Sequence, residues 1–142
     1  MRWLVLTVLT LVMLVSAGCG SEVTIVASTG NSTIVVTTAS VPSISLAQLR
    51  QDTTNRTVFG SIDFYTPGSD IGTMTITVTD SGGVVVSRSV SDLAEFSGLT
   101  SGSIQFFINY TRFLPGSYTF TIFVTNRAGY LSDPVYGSFW VS

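Results

Sequence analysis

Ser117-Tyr118-Thr119-Phe120-Thr121-Ile122-Phe123-Val124-Thr125 carries the plainest structural signal of the chain. Tyr118, Phe120, Ile122 and Val124 stand at every second position, with Thr119, Thr121, Phe123 and Thr125 between them. Successive side chains of a strand point to opposite faces, so this alternation predicts a strand with one face buried; a helix would repeat its apolar residues every three or four positions.

The same period recurs on both sides. Val58, Gly60, Ile62 and Phe64 alternate with Phe59, Ser61, Asp63 and Tyr65, and Met74, Ile76 and Val78 with Thr75, Thr77 and Thr79. Ile104, Phe106 and Ile108 predict a further strand, and Val135, Gly137, Phe139 and Val141 the last. Turn residues separate these runs: Pro67-Gly68, Asp80-Ser81-Gly82-Gly83 leading into Val84 to Val90, and Asn126-Arg127-Ala128-Gly129. No long helical pattern appears; Leu46 to Asp52 is the nearest candidate and is short. Six or seven strands, each with one apolar face, predict an all-β domain over residues 43–142, two antiparallel sheets packed face to face.

Leu114-Pro115-Gly116-Ser117-Tyr118 with the strand after it resembles the penultimate strand of fibronectin-III-like and bacterial immunoglobulin-like domains. Asn126 to Ser132 resembles the turn that follows, and Tyr65 to Ile71 an earlier turn of such domains in exported bacterial proteins. The resemblance implies an immunoglobulin-like antiparallel β-sandwich of about seven strands. It also implies a tyrosine corner, in which the Tyr118 hydroxyl bonds to backbone a few residues upstream and pins the crossover between sheets, a structural task.

The other end of the chain reads as an address. Arg2 precedes an apolar run from Trp3 to Val15, and small residues follow. This is the layout of a signal peptide over residues 1–18, and the run is shorter than the roughly 20 apolar residues a membrane-spanning helix needs. Leu14-Val15-Ser16-Ala17-Gly18-Cys19 resembles the lipobox of bacterial lipoproteins, with Ser16 where that family usually carries leucine. The resemblance implies that Cys19 becomes the mature N-terminus and carries diacylglycerol and an N-acyl chain such as palmitate, several acyl chains giving a durable anchor where one would be marginal. A lone cysteine makes no intramolecular disulfide, which fits this use. Gly20 follows, where aspartate would resemble an inner-membrane retention signal, so the outer membrane is the expected destination in a two-membrane cell. Residues 19–42, rich in serine and threonine and closed by Pro42, read as a tether.

Composition removes whole classes of function. There is no histidine and no lysine, six scattered arginines supply all the positive charge, and the net charge is −2. Nucleic-acid binding needs a basic face to neutralise phosphates, so no nucleic-acid partner is expected. The absence of histidine removes the usual general base near neutral pH, and a serine nucleophile has no histidine or lysine to activate it. Asp92 and Glu95 could pair as acid and base only across a cleft, which nothing here predicts. No catalytic residue and no cofactor is expected. Calcium, were it bound, would use turn carboxylates such as Asp63, Asp70 and Asp80, but their spacing is not that of an EF-hand, and aspartate favours turns for its own hydrogen bonding.

Phe123, Tyr136 and Trp140 occupy the outward phase of the last two strands and form the candidate binding surface, since exposed aromatics offer large apolar area at small entropic cost. The competing use is cross-strand packing on the sheet. The expected function is therefore a membrane-anchored, surface- or periplasm-facing, non-enzymatic module that binds a protein or an envelope polysaccharide. The alternative is a passive envelope spacer without a ligand, and a third is a carbohydrate-binding accessory to an enzyme.

Overall fold

The computed structural model describes residues 28–29, 32–33 and 40–142; the expected signal peptide and Cys19 lie outside the described residues. Two short strands, β1 (Ser28–Thr29) and β2 (Ser32–Thr33), pair only with each other, within the expected tether. Seven longer strands follow: β3 (Ser43–Asp52), β4 (Thr57–Tyr65), β5 (Ile71–Asp80), β6 (Val85–Asp92), β7 (Ser101–Asn109), β8 (Gly116–Asn126) and β9 (Val135–Val141). They make one antiparallel sheet in the order β3-β4-β7 and a second in the order β6-β5-β8-β9, an immunoglobulin-like β-sandwich.

The inward phases read from the sequence form the core. Val58, Ile62, Phe64, Met74, Ile76, Val78, Ile104, Phe106, Ile108, Phe120, Ile122, Val124, Phe139 and Val141 are all buried between the sheets. Two strands depart from the simple alternation. In β3 the register with β4 slips between Leu46 and Gln48, so Ala47 is an extra residue. This bulge gives Leu46 and Leu49 a spacing of three, which in sequence imitates a helix; the segment is strand throughout. It also turns Gln48 and Arg50 outward, opposite Ser61 and Phe59, and Gln51 inward, opposite Val58.

The second departure is β6, which contributes no side chain to the core. Its inward positions Ser87, Ser89 and Ser91 lie beside Val78, Ile76 and Met74. The four-stranded sheet is one strand wider than its partner, and β6 overhangs it. Val84, Val85, Val86 and Val90 are consequently 61, 55, 40 and 60% exposed, against the expectation that every strand buries an apolar face.

Glycines in the inward phase have a use that only pairing reveals. Gly60 lies opposite Phe106, Gly102 opposite Phe64, and Gly137 opposite Phe120. In each pair the phenylalanine ring lies over its cross-strand glycine, in the space where a Cβ would stand. The glycines thus let large rings lie flat against a sheet whose partner is close. Phe106 and Phe120, from opposite sheets, then meet with centroids 5.7 Å apart at 60°.

Each end of the sandwich is closed differently. At the end holding the β3–β4 and β7–β8 connections, Tyr110, Phe113, Tyr118 and Phe139 pack together with centroid separations of 5.0–6.3 Å. The Tyr118 hydroxyl donates to the Leu114 carbonyl at 2.8 Å, holding the entry to β8. The Tyr110 hydroxyl donates to the Asp52 carbonyl at 3.2 Å and accepts from Gln51 Nε2, which also donates to the Trp140 carbonyl. That chain of bonds ties β3 to β9 and joins the two sheets along one side. Tyr118→Phe is expected to cost about 1 kcal/mol, the worth of one such hydrogen bond with the ring packing retained. Urea denaturation measures it, and an unchanged midpoint would show the bond to be dispensable.

At the opposite end, fully buried Thr66 donates its N–H to Thr100 and its hydroxyl to Asp70 Oδ1. Buried Asn126 donates its amide to the Ser40 carbonyl at 2.9 Å and accepts from the Tyr130 N–H at 2.8 Å. An aspartate at 126 could accept but not donate, so the asparagine is what fastens the incoming chain at Ser40 to the β8–β9 turn.

Candidate functional site

Two outer sheet faces remain. On the four-stranded sheet, Val90, Thr75 and Phe123 form one cross-strand row, and Arg88, Thr77, Thr121 and Tyr136 the next. Trp140 faces Ser117, further along β9. Phe123, Tyr136 and Trp140 therefore share a face, as their phase requires, but are spread along it. Phe123 is diagonal to Tyr136 and partly buried. Tyr136 and Trp140, 67 and 61% exposed, are separated by four residues of strand, about 13 Å. No ring stacks on another among these three. The space between them is a threonine field, in which the hydroxyls of Thr79 and Thr119 bond across strands at 2.9 Å.

The outer face of the three-stranded sheet is more varied. Its rows are Arg50-Phe59-Phe107, Gln48-Ser61-Gln105, Ser45-Asp63-Ser103 and Ser43-Tyr65-Ser101. Phe107 is the most exposed aromatic of the described residues, at 70%. The Arg50 guanidinium stands 5.8 Å from the centroid of the Phe59 ring, within the range of a cation–π contact. Gln48, Arg50, Phe59, Ser61, Ser103 and Gln105, together with Leu49, Gly60 and Phe106, line an open depression on this sheet. Two amides supply paired donors and acceptors, two serines supply hydroxyls, Arg50 supplies donors only, and Phe59 supplies a flat apolar surface.

Most of this surface is legible in the sequence. Phe59 and Phe107 fall in the outward phase of strands whose alternation is plain, and that is a usable signal. Gln48 and Arg50 were hidden, because the bulge at Ala47 reverses the phase of β3 and nothing local announces it.

The remaining residues singled out from sequence are dispersed. Asp63 lies on this outer face, Asp70 at the Ser40 end bonded to Thr66, and Asp80 at the far end of β5, where its Oδ1 accepts from the N–H of Gly82 and of Val84. The three do not converge, and no group of three or more acidic or cysteine side chains placed to hold a metal occurs among the described residues. Asp92 accepts from the Ala94 N–H at 2.9 Å, at the start of a single 3₁₀ turn that carries Glu95. Asp52, on the surface at the β3–β4 turn, is held below the ordinary carboxylate range by hydrogen bonds from the backbone and side chain of Asn55. Those bonds set the turn.

No protein-family model matches the chain, and no curated protein does. Among solved structures, it is similar to part of β-glucosidase 3B from Thermotoga neapolitana in complex with α-D-glucose, at 13% identity and a TM-score of 0.45 over 75% of this chain and 16% of that one. Similarity to β-glucuronidase 3 of Bacteroides uniformis is at 17% identity and a TM-score of 0.32, over 68% of this chain and 11% of that one. The ApaA protein of Bordetella pertussis matches at 11% identity and a TM-score of 0.33, over 72% of this chain and 94% of that one. The chain thus corresponds to a small fraction of either enzyme's length.

Proposed function

We propose that this chain is an exported lipoprotein, anchored through Cys19 and extended by a tether, whose sandwich binds a partner across the outer face of the three-stranded sheet without catalysing a reaction. The observation that carries the reading is the depression bounded by Gln48, Arg50, Phe59, Ser61 and Gln105. Its chemistry is that of a surface for a hydroxyl-rich chain. Amides and hydroxyls exchange hydrogen bonds with such a polymer in both directions, and an aromatic face covers its C–H groups. An envelope polysaccharide is therefore the favoured partner. The outer membrane is the proposed site of anchoring, on the strength of Gly20.

Two measurements test this. The double variant Phe59→Ser with Phe107→Ser is expected to lose at least about tenfold in retention on immobilised envelope polysaccharide, the equivalent of about 1.4 kcal/mol. Phe123→Ser with Trp140→Ser is expected to retain binding. Loss only in the second pair moves the site to the four-stranded face; loss in neither, with the fold intact, leaves a spacer. A partner captured as protein and not as polysaccharide would overturn the ligand class. For the anchor, Cys19→Ala is expected to shift the chain out of the membrane fraction, and mass measurement of the mature N-terminus should find a lipidated cysteine. An unmodified terminus beyond Cys19 would overturn the anchor.

A further inference from the structure

The strand that gives nothing to the core is an open edge. β6 pairs with β5 along one side only, and its other side has no strand neighbour among the described residues. Open edges are usually blunted, by a charge, a bulge or a covering loop. Here the bulge falls at Val86, since Val78 pairs with Ser87 and Thr79 with Val85, and the run from Ser87 to Asp92 beyond it is regular. Three residues of that run, Arg88, Val90 and Asp92, face outward together, opposite Thr77, Thr75 and Thr73. All three are exposed. They form a palindrome of charge: a cation and an anion at equal distance on either side of one valine.

We propose that a second copy of this chain pairs with the first through β6, antiparallel and centred on Val90. In that register each Arg88 lies directly opposite the other copy's Asp92, the two Val90 side chains face one another, and Ser89 meets Ser91 on the inner side. Directly opposed side chains on one face of an antiparallel pair are within 4.5–5.5 Å at Cβ, so two opposite-charge pairs form around an apolar contact. Asp92 has an oxygen free for this, because its bond to the Ala94 N–H uses Oδ1. A register centred on Arg88 would allow a longer ladder, from Val84 to Asp92, but it sets the two Arg88 side chains against each other. A register centred on Ser89 places Arg88 opposite Val90 and leaves the charges diagonal. The charge pattern thus selects one of the three. The product is a continuous eight-stranded sheet, and the exposed Val90 becomes its centre.

Sedimentation of the full chain in mild detergent, from about 1 µM to about 1 mM, tests the pairing. A concentration-dependent dimer is expected. Arg88→Asp should weaken it about tenfold or more by opposing two carboxylates, and the charge-swapped variant Arg88→Asp with Asp92→Arg should recover most of the loss, an outcome that a merely structural role for either residue would not produce. Val90→Cys in a Cys19→Ser background should link two chains under mild oxidation, because a centred pair lies within disulfide reach. A monomer across the whole range would overturn the proposal. So would a dimer that ignores Arg88→Asp, or one that the charge swap fails to restore.

Discussion

Phe120→Ala should lower the free energy of unfolding by about 3–5 kcal/mol, the range for deleting a buried phenylalanine ring. Phe120 is fully buried. Its strand neighbours are Val78 on one side and Gly137 on the other, and its ring meets Phe106 from the opposite sheet. Two of its neighbours have little with which to fill the cavity left by the ring. Gly137 has no side chain to offer, and the Phe106 ring is held over Gly60. The cost should therefore lie toward the upper end of that range. For a domain of this size the melting temperature should fall on the order of 20 °C. Thermal unfolding followed by near-ultraviolet circular dichroism measures both quantities. A loss below about 1 kcal/mol would mean that the two sheets do not meet through this ring.

Gly137→Ala makes the opposite error at the same place. The added methyl enters the position of the Phe120 ring, and that ring is fully buried. Overpacking of this kind costs about 1–3 kcal/mol. The backbone at Gly137 is ordinary strand, so the penalty is one of space and not of conformation. A double-mutant cycle separates the two. With Phe120→Leu in the background, Gly137→Ala should become markedly cheaper, a coupling of at least about 0.5 kcal/mol between the positions. Ser138→Ala, one residue on and facing solvent, should stay within about 0.5 kcal/mol of the parent. Equal costs for Gly137→Ala in both backgrounds would show that the glycine is needed for some reason other than the ring above it.

These two residues mark how far local pattern reaches. Phe120 and Gly137 both stand in the inward phase of plainly alternating strands, and their burial follows from the period of two. That the glycine lies beneath the phenylalanine is a property of register, which depends on how β9 slides along β8. Gly60 under Phe106 and Gly102 under Phe64 repeat the lesson with partners far apart in the chain. The candidate surface divides in the same way. Phe59, Phe107, Tyr136 and Trp140 can be assigned outward from sequence; Gln48 and Arg50 join them only through a bulge. β6 shows the limit most clearly. Val84 to Val90 has the composition of a buried strand, but its exposure follows from a count of strands in the two sheets.

Composition and the two-residue period establish an all-β domain, the residues of each regular strand that point inward, and a chain without histidine or lysine. Those are local properties, fixed by the two-residue repeat of an extended backbone and by composition. That β6 joins β5 and overhangs the core, that Ala47 reverses the phase of β3, and that the edge carrying Arg88, Val90 and Asp92 is open follow from the pairing of the strands. Each of these depends on which strand lies beside which, and that is set by contacts between residues distant in the chain.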